Sequence, residues 1–75
     1  MCLATVYLEE TNGEMREVMR EVAWIRFDQD GIRLGQFMGP EKHLPLRLKS
    51  VDLLNSAVVL TPAAEGEENL LQPSV

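Results

Sequence analysis

The chain holds one cysteine and one histidine, and they carry most of its capacity for metal binding or nucleophilic chemistry. Cys2 is the more telling by position, because its thiol stands beside the chain's own amino group. With Met1 removed, the amine and thiolate of Cys2 close a five-membered chelate. With Met1 kept, the amine, the Cys2 amide nitrogen and the thiolate form fused rings. Nitrogen and sulfur donors of this kind suit a late first-row divalent ion, and deprotonated nitrogens with thiolates favour square-planar nickel(II) or copper(II). In a two-fold dimer, two copies of Cys2 can meet at the axis and share one ion. The competing reading is a small hydrophobe that opens a strand, since Cys2, Ala4, Val6 and Leu8 share one face at period two.

His43 sits in Glu41-Lys42-His43 after a Gly-Pro break, and it adds an imidazole ligand only if folding carries it to Cys2. With no second donor beside it, it reads as an exposed loop histidine. Met15 and Met19, spaced i, i+4, read as core rather than as thioether ligands. Tyr7, Trp24 and Phe27 could stack nucleobases, but aromatics make up only 5% of the chain, which favours core use. No CxxC, HExxH, glycine-rich phosphate loop or paired-carboxylate pattern stands out. A Cys2 nucleophile freed by removal of Met1 would resemble the start of some amidotransferases, yet no second base or oxyanion loop accompanies it. The expectation is a protein that is not an enzyme.

At 75 residues, 45% hydrophobic and 25% charged, the chain is sized for one small globular domain. A single cysteine excludes an intrachain disulfide. No apolar run approaches the ~18 residues of a membrane-spanning helix, and no basic region leads into a long apolar run at the start. The expected compartment is the reducing cytoplasm. Net charge is −5, and Glu65, Glu67 and Glu68 fall in a final stretch without Lys or Arg. The remainder is close to balance and shows no basic stripe. A nucleic-acid partner is therefore the alternative, requiring Arg26, Arg33, Arg47 and Lys49 to cluster beside an exposed aromatic.

These residues must be held by short strands. Leu3 to Glu9 alternates as a strand and ends at Thr11-Asn12-Gly13. Residues 14–21 are ambiguous: Met15, Val18, Met19 and Val22 fit one or two helical turns, and a short strand with a bend fits as well. Val22 to Phe27 and Ile32 to Phe37 form a hairpin about Asp28-Gln29-Asp30-Gly31. Gly39-Pro40 breaks the chain, and Leu44, Leu46 and Leu48 then alternate, with Pro45 marking an edge or a strand start. Val51 to Leu54 and Ala57 to Leu60 close a last hairpin at Asn55-Ser56. The expectation is an all-β fold, a small compact β-barrel or roll of about six short strands over residues 1–61. Residues 62–75 read as an acidic, mobile tail with Leu70 and Leu71 as adjacent anchors. So small a sheet leaves edges that a second copy can cover, so a homodimer is expected.

Met1-Cys2-Leu3-Ala4-Thr5-Val6 resembles the opening of the CooT family, small proteins that begin MC-x-A-x-V. Glu21-Val22, Asp30-Gly31-Ile32, Phe37-Met38-Gly39, Val51-Asp52-Leu53 and Val58-Val59-Leu60 follow in the family's order, so the resemblance spans residues 1–61. It implies a compact β-barrel homodimer that binds nickel(II) through Cys2 near the dimer interface. It also implies a cytoplasmic metallochaperone or carrier linked to carbon monoxide dehydrogenase or its maturation proteins. Only Cys2 carries over as a ligand. An RNA- or nucleic-acid-binding small barrel stays the alternative, by fold analogy.

Overall fold

The computed structural model describes residues 3–62. Cys2 and residues 63–75 of the tail expected over residues 62–75 lie outside the described residues. Strands β1 (Ala4–Glu9), β2 (Met15–Asp28), β3 (Gly31–Gln36), β4 (Glu41–Leu44), β5 (Leu46–Asp52) and β6 (Ala57–Pro62) form one sheet. Their order is β4-β3-β2-β1-β6-β5. Only β1 and β6 run parallel; every other neighbouring pair is antiparallel.

The ambiguous segment 14–21 is strand, the first half of β2. Its helix-like spacing comes from bulges. Ala4 pairs with Val22 and Val6 with Met19, so β2 spends three residues where β1 spends two. Glu21 sits in the extra step with φ of 58°. An inserted residue reverses the facing of everything beyond it. Met19 and Val22, which a regular strand would point to opposite faces, are therefore both buried. A further insertion between Val22 and Trp24 lets β2 leave β1 and pair with β3. Met15 lies before the first bulge and is exposed, so only Met19 of the methionine pair joins the core.

The hairpin about Asp28–Gly31 forms as its sequence predicts, with Asp28 paired to Gly31 and the Asp30 amide donating to Asp28 Oδ1 at 3.0 Å. Elsewhere the boundaries move. The alternation of Leu44, Leu46 and Leu48, expected as one strand entered near His43, is split: Glu41–Leu44 is a short strand of its own, and Pro45 separates it from β5. Leu53 and Leu54 are turn residues, 85% and 91% exposed, not strand. Phe37 likewise falls in a turn after β3.

The sheet curls but does not close into a barrel, which corrects the expected closure. The two edge strands, β4 and β5, are consecutive in sequence with only Pro45 between them. A strand that continues another through one residue cannot fold back beside it to pair, and Pro45 has no N–H to give a ladder. Gly31 makes this crossing feasible. Its φ is +148°, and a Cβ there would overlap the Leu44 carbonyl oxygen and lie 2.9 Å from Pro45 Cα. The core inside the curl is Val6, Met19, Val22, Ile32, Leu34, Val58 and Leu60.

Candidate functional site

His43 lies on β4, directly opposite Arg33 of β3. Its Nε2 stands 3.3 Å from Asp28 at the end of β2. Arg33 also reaches Asp28, with Nε 3.3 Å from Oδ2, and pairs with Glu41 at 3.6 Å. Partial burial pushes the Asp28 carboxyl up. The hydrogen bonds from His43 and the Asp30 amide, with the charges of His43 and Arg33, outweigh it and hold the group below the usual carboxylate range. His43 is thus a partner in a strand-tying polar network on the outer side of the hairpin. Among the described residues, no group of three or more His, Cys, Asp or Glu could hold a metal ion.

The aromatic and cationic residues are also committed. Trp24 pairs across from Gly35, and its ring lies so close that a Cβ on Gly35 would overlap it. The Arg26 guanidinium sits 4.5 Å from the ring centroid, a cation–π contact. Arg26 and Arg33 are cross-strand partners, and Arg33 is neutralised by Asp28 and Glu41. Lys49 pairs with Glu9, and it shares with Arg47 the opposite edge strand of the sheet. Of the four cations, Arg26 and Arg33 therefore stand together on β2 and β3, and Arg47 and Lys49 together on β5. Phe27, expected in the core, is 64% exposed.

That exposure belongs to a larger feature. Ile25 and Phe27 pair with Leu34 and Ile32, and directly paired residues share a face. Leu48 and Val51 pair with Leu60 and Val58. All four partners are buried, yet Phe27, Leu48 and Val51 are 64%, 40% and 50% exposed. The core face therefore runs out from under the sheet where the curl stays open. There it lines an apolar groove of about 480 Å³. Leu3 and Leu53 line the same groove, and no Asp, Glu, Lys or Arg does. The residue after Cys2 thus sits at the open side of the core.

The turn carrying Leu53 is held by Asp52, whose Oδ1 accepts the Asn55 amide at 3.2 Å and whose Oδ2 accepts Asn55 Nδ2 at 2.8 Å. These bonds lower the Asp52 pKa. A carboxylate with a depressed folded pKa stabilises the fold above its unfolded value of about 3.9 and loses that contribution as pH falls through the folded pKa. Asp52→Ala is expected to lower the urea midpoint at neutral pH. The gap to the parent should narrow once pH drops below about 4; a pH-independent gap would mean that the charge contributes nothing.

A family model described as CO dehydrogenase accessory protein CooT matches residues 1–61. The chain belongs to the CooT family. This CooT-family chain also shares its fold with the crystal structure of a CooT from Carboxydothermus hydrogenoformans, at a TM-score of 0.75 and 16% identity. The match covers 84% of this chain and 100% of that one. No curated protein matches the chain. The family is one of accessory proteins for CO dehydrogenase, and no helix among the described residues is long and apolar enough to cross a membrane.

Proposed function

We propose that this CooT-family chain is a cytoplasmic, non-catalytic nickel(II)-binding protein that serves carbon monoxide dehydrogenase maturation as a metallochaperone or carrier. It acts as a homodimer that holds one ion between two copies through Cys2. The observation that carries this reading is the match over residues 1–61, which includes Cys2, together with the place of Leu3 on an uncharged groove.

The described residues offer no converging ligand set of their own. Sulfur and nitrogen donors at the chain start, doubled by a second copy, make a set that suits nickel(II). Hand-over of cargo requires that incoming donors exchange with Cys2 on the ion. Ligation needs thiolates, so capture releases protons and affinity falls with pH. Native mass spectrometry with and without nickel tests the reading. A dimer that gains one nickel is expected, and a chain that takes up none removes it.

A further inference from the structure

We infer that the outer face of β2, β3 and β4 is a docking surface for an acidic, extended segment of a partner protein, held by Arg26 and Arg33 with His43 beside them. The inference uses neither Cys2 nor a metal, so it is independent of the reading in the preceding section.

Directly paired residues share a face. Arg26 pairs with Arg33, and Arg33 with His43, so three basic side chains lie in one row across three strands. The row faces away from the core, because Ile25 and Phe27 on either side of Arg26 pair with buried Leu34 and Ile32. All three basic residues are exposed. Both flanks of the row are open: β1 pairs with β2 only as far as Val22, and β4 is an edge strand. Neighbouring strands are ~4.8 Å apart, which makes the row ~10 Å long.

Like charges set directly opposite each other repel. Arg26 carries no compensating carboxylate: its guanidinium rests on the Trp24 ring, and no Asp or Glu among the described residues pairs with it. Arg33 donates one hydrogen bond to Asp28, at 3.3 Å, and lies 3.6 Å from Glu41. Exposed bridges of this kind contribute little, and they leave most of the five N–H donors of Arg33 available. A carboxylate entering between the two guanidiniums turns a repulsion into two charge-assisted attractions. Alternate side chains of an extended chain are ~7 Å apart, so two carboxylates at i and i+2 fit within the row.

The surroundings select an acidic peptide over a nucleic acid. A phosphate chain needs basic groups along its path. Here Asp28 lies two residues beyond Arg26 on β2, and Glu41 two residues before His43 on β4, so a carboxylate bounds the row on each side. A stacked base needs a free aromatic face, and Trp24 already lies against Gly35 and beneath Arg26.

Fluorescence anisotropy of a labelled peptide of alternating glutamate and glycine, titrated with the full chain in chelator at low salt, tests the proposal. Saturable binding is expected, weakening as salt is raised. Trp24, the only tryptophan, should report the same event, since its emission changes when a carboxylate draws Arg26 off the ring. Arg26→Gln and Arg33→Gln should each weaken binding at least ~10-fold. Arg26→Lys should restore part of the loss, keeping the charge without the planar fork. Arg16→Gln is the control, because Arg16 lies on the first half of β2 and pairs with Glu10. Far-UV spectra check that each variant keeps the sheet. A parent chain that binds no peptide overturns the inference. So does binding that survives both substitutions, or that Arg16→Gln weakens equally. Oligouridylate that binds more tightly than the peptide, and is lost in the same variants, overturns the assignment to an acidic segment. Peptide binding without nickel uptake leaves this surface standing and removes the nickel reading, and nickel uptake without peptide binding does the reverse.

Discussion

Cys2→Ser is expected to abolish the thiolate-to-nickel charge-transfer absorption and to weaken nickel(II) binding by at least ~100-fold. The hydroxyl of serine stays protonated at neutral pH and offers a hard oxygen where the ion prefers sulfur. A site shared by two copies loses both sulfurs at once, so the effect exceeds that of one missing ligand. In the parent, the same titration at lower pH should show weaker binding, because each thiol must give up a proton to ligate. Cys2 precedes β1, so the variant should keep the sheet, and its far-UV spectrum checks that. Binding that survives the substitution would remove Cys2 from the site.

Gly31→Ala should be the most damaging small change to the fold, at about 3 kcal/mol. The residue has φ of +148°, where an alanine carries a backbone penalty of roughly 1–2 kcal/mol. Its Cβ would also overlap the Leu44 carbonyl at the crossing from β4 to β5, and overpacking of this kind costs ~1–3 kcal/mol. Neither contact can relax by turning a side chain, because both obstacles are backbone. Small domains hold only ~5–15 kcal/mol, so a large drop in urea midpoint is expected. Gly13→Ala is the control, since its φ is +92° but a Cβ would meet nothing within 4 Å. Equal losses at the two positions would show that the crossing is not tight.

The two glycines look alike in sequence, each closing a turn between strands. Only the path of Leu44-Pro45 past Gly31 separates them. The same limit explains the misread elements. Alternation in Leu3 to Glu9 and the Asp28–Gly31 turn are local signals, and both appear where expected. The first half of β2 imitates a helix because inserted residues reset its facing. A bulge leaves no marker when the residue at positive φ is Glu21 rather than glycine. β4 was hidden for a different reason. Glu41 and His43 lie on the outer face of an edge strand, and Lys42, on the face of Leu34 and Leu44, carries its amine out to the Val18 carbonyl, so the segment reads as polar although it is a strand.

For the proposed site, the sequence offers Cys2 as a soft donor at the start of a strand-like alternation, and its proposed role as a ligand rests on the CooT resemblance rather than on position alone. The sequence also determined an all-β chain, since period-two alternation and turn residues act over a few positions. The tertiary structure decided what the rest is used for. It tied His43 to Asp28, settled Trp24 on Gly35 beneath Arg26, and left Phe27, Leu48 and Val51 uncovered. Those outcomes depend on which strands become edges and whether the edges meet. That is set by the one-residue joint at Pro45 and the room at Gly31, a long-range contact that no local pattern encodes.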